Sequence, residues 1–189
     1  MPTEDLLEFG ARLFESESLA FRNSTQEDFE LLSIWSSDPF TMVLQSPHAV
    51  LLKDRESIAA KFRDLSQVRD SGFGYSIMLR ETQLIGHVAL WGITRKDQCA
   101  NLGIVLNREM WGRGYGTEAL LLVLRYSFKE LNLHRVQLDV LAENSRAIRC
   151  YQKVGFREEG RRRQVYFRDG KWRDDILMGM NSRTAIAAG

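Results

Sequence analysis

Three alternating glycines, Gly112, Gly114 and Gly116, lie between a strand-like run from Ala100 to Leu106 and a helical run from Glu118 to Leu131. No other stretch constrains the fold as much. The run after the glycines is apolar on nearly every side through Leu124, so its helix has to be buried against a sheet. A helix N-terminus leaves backbone N–H groups unpaired and carries partial positive charge, so it accepts an anion readily. Glycines let those amides approach phosphate oxygens without a Cβ in the way, and Arg113 adds a full charge beside them. The plainer reading is a tight turn that needs positive φ and binds nothing. The repeated glycine, the embedded arginine and the buried helix together favour a phosphate over that reading. A P-loop needs Gly-Lys followed by Ser or Thr, and none follows here. A dinucleotide fold needs a parallel βαβ unit with the glycines near its start. Here the turn falls past mid-chain.

Two hairpin signals precede and follow it. Tyr75, Ile77 and Leu79 alternate with smaller or polar residues, and the polar turn Glu81-Thr82-Gln83 joins them to the apolar run Leu84 to Trp91. Asp169-Gly170 separates Val165–Arg168 from Trp172–Met180, a strong short hairpin signal. Hairpins exclude an all-parallel sheet. Leu19 to Arg22 and Val136 to Leu141 read as further strands. Thr25 to Asp28 reads as a helix start, with Leu31, Leu32 and Trp35 at helical spacing and Pro39 ending the run. A second helix follows Asp54, with Ile58, Ala59, Phe62 and Leu65 on one stripe. A third carries Ala147, Ile148, Tyr151 and Val154 and stops at Gly155. The fold class is therefore α/β (α+β): one domain over residues 19–180, with a mixed, mostly antiparallel sheet and helices on both faces. Residues 1–18 are an acidic extension or short helix, and 181–189 a frayed tail.

The 26 Lys and Arg against 25 Asp and Glu leave no basic excess, which counts against nucleic acid as a partner. No apolar run is long enough to span a bilayer, and Glu4, Asp5 and Glu8 stand where a secretory signal would be basic and then apolar. Cys99 and Cys150 have neither metal nor redox spacing, and His48, His87 and His134 do not cluster, so no metal is expected and the chain reads as cytoplasmic.

Gly-Ile-Val-Leu at 103–106, Trp-Gly-Arg-Gly-Tyr-Gly-Thr-Glu-Ala at 111–119 and Ala-Glu-Asn-Ser-Arg-Ala-Ile-Arg-Cys-Tyr-Gln-Lys-Val-Gly-Phe at 142–156 resemble the GCN5-related N-acetyltransferases (GNAT). The look is nearest to the branch of ribosomal-protein N-terminal acetyltransferases. The resemblance implies a sheet of about seven strands, splayed between the fourth and fifth, with acetyl-CoA in the splay. It implies that Ile104, Val105 and Leu106 pair with pantetheine and that Gly112, Arg113, Gly114, Tyr115, Gly116 and Thr117 take the pyrophosphate. One departure is Trp111, where the family usually has Gln or Arg; it packs on the sheet or covers the cofactor. The partners implied are acetyl-CoA and an amine, with a homodimer left open.

Acetyl transfer needs a neutral amine, a sink for its proton, oxyanion stabilisation and an acid for the thiolate. The family match makes Tyr151 the acid, since a phenol near pKa 10 can protonate a leaving thiolate; by periodicity alone it belongs to the apolar stripe. Asn144 is a good helix N-cap and, by resemblance, also bonds the pantetheine arm. The resemblance also implies that the oxyanion rests on a backbone N–H near Val105. An α-amine with pKa near 8 is about a tenth neutral at pH 7, but a lysine-type amine near 10.4 only about 0.04%, so the latter needs a base. By the resemblance Asp139 is the candidate, since some relatives place a carboxylate on the fifth strand five residues before the asparagine; equally, it is a solvated strand residue or a partner for Arg135. His87 and Glu109 are weaker candidates, and Asn101 cannot take a proton. Arg161-Arg162-Arg163 reads as a solvated loop or strand edge, or as a contact for the cofactor's ribose phosphate or an acidic partner. Asp174-Asp175 reads as a hairpin ion pair with Arg168 or Lys171 or a lure for a cationic amine, and Cys150 as facing away from the Tyr151 stripe. Trp35, Phe40, Trp91 and Tyr166 read as core or as acceptor-cleft walls. The acceptor loops are expected at 36–53 and 157–164. The alternative to an enzyme is a non-catalytic acyl-CoA-binding sensor on the same fold.

Overall fold

In the computed structural model, which describes residues 2–45, 50–80 and 82–183, one seven-stranded sheet runs through the chain. In chain order the elements are α1 (Pro2–Ala11), β1 (Leu19–Arg22), α2 (Gln26–Ser36), α3 (Pro39–Gln45) and α4 (Arg55–Ser66). They continue with β2 (Gly72–Leu79), β3 (Gln83–Thr94), β4 (Cys99–Leu106) and α5 (Tyr115–Lys129). The last are β5 (Arg135–Leu141), α6 (Ser145–Lys153), β6 (Arg157–Arg168) and β7 (Lys171–Asn181). The strands lie in the order β1-β2-β3-β4-β5-β7-β6, antiparallel throughout except for the β4–β5 pair.

Side chains alternate across the sheet, and two apolar layers result. Ile77, Ile85, Leu106, Val136 and Leu138 meet Ala119, Leu120 and Val123 of α5 on one face. Their sequence neighbours Met78, Leu84 and Val105 meet Phe29 and Leu32 of α2 and Ile58 and Phe62 of α4 on the other. Asp169 (φ 47) and Gly170 (φ 66) form the two-residue turn of the β6–β7 hairpin, with the positive φ pair that a type I′ turn requires. The β2–β3 hairpin forms as expected, although Glu81 of its turn lies outside the described residues.

Two boundaries differ from expectation. Pro39 does not merely end α2; it opens α3, because proline fits the first turn of a helix, where its missing N–H costs nothing. The stretch expected as one loop at 36–53 therefore contains a helix, while residues 46–49 lie outside the described residues. The expected loop at 157–164 is the first two-thirds of β6, a mostly exposed edge strand whose polar sequence shows little alternation. Gln164 (φ 54) marks a bulge there, tied by its N–H to Asp174 Oδ1 at 3.0 Å.

Thr25 caps α2 in a reciprocal box with Asp28. Burial pushes the Asp28 carboxyl up, but the Arg22 guanidinium (2.6 and 2.9 Å), the Thr25 N–H and the Ser76 hydroxyl outweigh it and hold the group below its usual range. The stabilisation is thus complete above the unfolded value and is lost as pH falls through the lower folded one. Asp28→Ala is expected to cost about 2–4 kcal/mol, since it removes the carboxylate that Arg22 pairs with and breaks the helix cap, leaving Arg22 only the Asn23 carbonyl and Ser76 only Ser24. Urea unfolding at pH 7 checks this, and the difference from wild type should shrink towards pH 2.

Candidate active site

β4 and β5 pair at only three positions, Cys99↔Arg135, Ala100↔Val136 and Asn101↔Gln137. Beyond Asn101, β4 stays with β3 and β5 with β7, so the sheet opens between them. A cleft of about 520 Å³ fills the gap, lined by Leu102 to Ile104 and Leu106 of β4, Leu138 to Leu141 of β5, Gly116 of α5, the α6 N-cap Asn144, and Arg146, Ala147, Cys150 and Tyr151 of α6.

The β3–β4 register decides which backbone groups face the opening. The Asn107 N–H bonds the Ile85 carbonyl, so Val105, two residues back, turns its peptide groups towards His87 on β3. Ile104 and Leu106 turn theirs into the gap. Val105 does not line the cleft, and its side chain packs in the α2–α4 layer. Because peptide direction alternates along a strand, the β4 groups that face the opening are those of Ile104 and Leu106 and not those of Val105. The Leu106 carbonyl already accepts from Trp111 Nε1 at 3.0 Å.

At the glycine turn, Gly112 (φ 76) and Gly114 (φ 90) take the conformation glycine favours, and a Cβ on either would meet nothing within 4 Å. Gly114 is the N-cap of α5 and supplies no side chain to it, so the first-turn N–H groups are left for an external acceptor. Gly116 alone of these residues lines the cleft itself; a Cβ there would come within 3.4 Å of Cys150 Sγ and Leu106 Cδ1. Arg113 is exposed and makes no ion pair among the described residues. Tyr115 packs on the α5 layer, and Thr117 Oγ1 lies 3.5 Å from Cys150 Sγ. An uncapped helix end beside a free arginine, leading into an apolar cleft, fits a pyrophosphate with a pantetheine arm.

Asn144 is buried and caps α6, its Oδ1 accepting from the Ala147 N–H at 3.2 Å. Asn144 also lines the cleft, and its side-chain NH2 is a donor that this bond does not use. Tyr151 is half-buried in the same cleft against Phe156. Desolvation, reinforced by Cys150 and opposed by Arg146, pushes its phenol up to about 12, so it stays protonated at neutral pH. Cys150 does not face away; it lines the cleft with Tyr151, because adjacent helix positions are only about 100° apart and the opening is wider than that. Among the described residues no histidine lines the cleft to activate it. His87 is buried in the α2–α4 layer, where Ser66 Oγ lies 2.8 Å from Nε2 and desolvation pushes it down to about 4.

The other end of the cleft is walled by Leu44, Lys61, Trp91, Asn101, Asp139, Tyr166 and Asp175. Asp139 pairs with Arg162 rather than Arg135, whose partner is Glu159. Asp174 pairs with Arg161, and Asp175 with Arg162 at 2.7 Å, not with Arg168 or Lys171. Arg161 and Arg162 thus belong to the hairpin: β6 sets Arg162 directly opposite Asp175 of β7, while Arg161, opposite Ile176, reaches back to Asp174. Trp35 packs against the α2–α4 layer, and the Phe40 ring lies tilted by 42° against Trp111, 6.0 Å between centroids. Sequence reasoning gave no role to Arg146, which stands inside the 142–156 motif and whose guanidinium lies 3.6 Å over the Trp111 ring, nor to Lys61, which stands in no motif.

A model of the "Acetyltransferase (GNAT) domain" matches residues 18–157. The chain belongs to this family of acetyl-CoA-dependent N-acetyltransferases, and its acyl donor is acetyl-CoA. A Bacillus subtilis relative named "Probable N-acetyltransferase YjcK" is 30% identical, over 87% of this chain and 86% of its own length. A Vibrio cholerae protein named "Spermidine N(1)-acetyltransferase" is 26% identical, over 86% of this chain and 87% of its own. The fold also matches a crystal structure of V. cholerae spermidine N-acetyltransferase in complex with CoA and spermine, with TM-score 0.79 and 22% identity over 90% of this chain and 99% of that one. These relatives give no support to the ribosomal-protein branch. Among the described residues no helix is long and apolar enough to cross a membrane, and no group of side chains could hold a metal ion.

Proposed function

We propose that the protein acetylates a primary amine by direct attack within a ternary complex, with Tyr151 as the acid. The observation that carries this reading is the placement of a protonated, half-buried Tyr151 on the same cleft as the opened edge of β4. Acetyl-CoA brings the thioester carbon that the amine attacks and the sulfur that leaves. Ile104 and Leu106 offer N–H groups to the oxyanion. The α5 N-terminus with Arg113 takes the pyrophosphate, and the Asn144 NH2 and the Ile104 backbone hold the pantetheine arm. A phenol raised to about 12 is a weaker acid than one in water, and the Arg146 guanidinium offsets this by favouring the phenolate left after donation. Direct attack is preferred to a Cys150 acyl-enzyme because that thiol has no base beside it.

The names of the relatives make polyamines candidate acceptors. A panel of spermidine, hexylamine, benzylamine and a short peptide with a free N-terminus tests the reading. With acetyl-CoA present, at least one amine is expected to release CoA thiol with equimolar acetylated amine. Binding of acetyl-CoA without release across the panel would favour a sensor instead.

A further inference from the structure

The acceptor end of the cleft holds a carboxylate unlike the one the motif pattern points to. Asp175 of β7 is 2% exposed and lines the cleft, whereas the Asp139 side chain is 54% exposed. Arg162 pairs with both. Arg162 Nη2 donates to Asp175 Oδ2 at 2.7 Å, and the Tyr166 hydroxyl donates to the same oxygen at 3.4 Å. Among the described residues no hydrogen bond engages Oδ1. Asp175 stands opposite Leu141 of β5 and Arg162 of β6, which places it on the same face of the sheet as Asp139 and on the opposite face from the α5 layer. Trp91 shares this end of the cleft: its indole lies across Gly103 of β4, so close that a Cβ there would meet the ring at 2.9 Å.

We propose that Asp175 binds the acceptor's ammonium group beside the Trp91 and Tyr166 rings and takes its proton. The inference rests on direct attack by an amine as proposed above, and it places the base on β7 rather than at Asp139. Aromatic faces and a buried carboxylate both favour an alkylammonium ion over a neutral molecule. Once the ammonium is desolvated its own acidity rises, and burial has already pushed the Asp175 carboxyl up against the opposing pull of Arg162, so the proton gap narrows from both sides. The charged and titratable groups around Asp175 are Arg162 and Tyr166 from β6 and Asp139 from β5. Lys61 of α4 and Arg146, Cys150 and Tyr151 of α6 share the cleft.

The protons balance. The ammonium gives one to Asp175 Oδ1, and the freed nitrogen lone pair forms the bond to the acetyl carbonyl carbon. The C–S bond then breaks with its electron pair on sulfur, which takes the Tyr151 proton. The second nitrogen proton restores Tyr151, and the one on Asp175 leaves to solvent.

The test is kcat/KM against pH for the fastest aliphatic amine of the panel, in wild type, Asp175→Asn and Asp139→Asn. Asp175→Asn is expected to lose at least about 100-fold at pH 7. Its log kcat/KM should then climb with unit slope towards the amine pKa, because only pre-formed neutral amine reacts, while CoA affinity and melting temperature stay near wild type. A purely structural role would lower the rate equally at every pH. Asp139→Asn should cost less than about 5-fold. Arg162→Gln, which keeps Asp175 but removes its cation, covers the case in which Asp175→Asn fails to fold. Its acidic limb should move to higher pH, since Arg162 pulls the carboxyl down. A small loss in Asp175→Asn with an unchanged profile, a larger loss in Asp139→Asn, or an unmoved limb in Arg162→Gln would overturn the assignment. A wild type that acetylates no amine would instead remove the proposed function, and this inference with it.

Discussion

Tyr151→Phe is expected to lower kcat by about 10²- to 10³-fold while leaving the dissociation constant for CoA within about 2-fold of wild type. The substitution removes one oxygen and keeps the ring that packs against Phe156, so the helix and the cleft wall stay in place. What goes is the proton proposed for the departing sulfur. Because desolvation holds the phenol at about 12, its acid form persists across any practical assay range, and Tyr151 should add no basic limb to the kcat profile between pH 6 and 10. Stopped-flow thiol detection for kcat, with calorimetry for CoA, separates the two quantities. Unchanged turnover would remove Tyr151 from the chemistry.

The second large effect falls on the donor site. Gly114 has φ 90, and a Cβ there meets nothing within 4 Å, so Gly114→Val acts chiefly through backbone strain. That strain is about 1–2 kcal/mol or more for a β-branched residue, and the chain relieves it by tilting the first turn of α5. The N–H groups of that turn then no longer converge on one point. CoA affinity is expected to fall at least about 10-fold, with a melting temperature only a few degrees lower. Affinity for pantetheine, which has no pyrophosphate, should stay within about 2-fold. If pantetheine binding falls as much as CoA binding, the turn is not the pyrophosphate site.

The glycine turn, the two hairpins and the helix stripes were legible in the sequence because each depends on local chemistry: positive φ, alternation, and apolar spacing. The splay was legible only through resemblance, since no single strand encodes the loss of its neighbour; it appears when β4 and β5 choose different partners beyond Asn101. The start of β6 was not legible. Arg157 to Gln164 lies on an exposed sheet edge, where neither face demands apolar residues, so the alternation that marks a strand is absent. The same blindness hid the pairing of Asp139 and Asp175 through Arg162, because those contacts depend on the β6–β7 register and not on spacing along the chain. The direction of the Val105 amide is likewise a property of register. Arg146 was missed for a different reason: its place over Trp111 joins two motifs that are distant in sequence and adjacent only in the fold.

The central claim is that acetyl passes from acetyl-CoA, held in the β4–β5 opening, straight to an amine. Rapid mixing of excess enzyme with acetyl-CoA, with and without the panel's fastest amine, tests it most directly when CoA thiol is followed through a single turnover. The account expects thiol to appear only when amine is present, in step with acetylated amine, and no burst in its absence. A stoichiometric burst of thiol without amine, with the acetyl group left on Cys150, would contradict it.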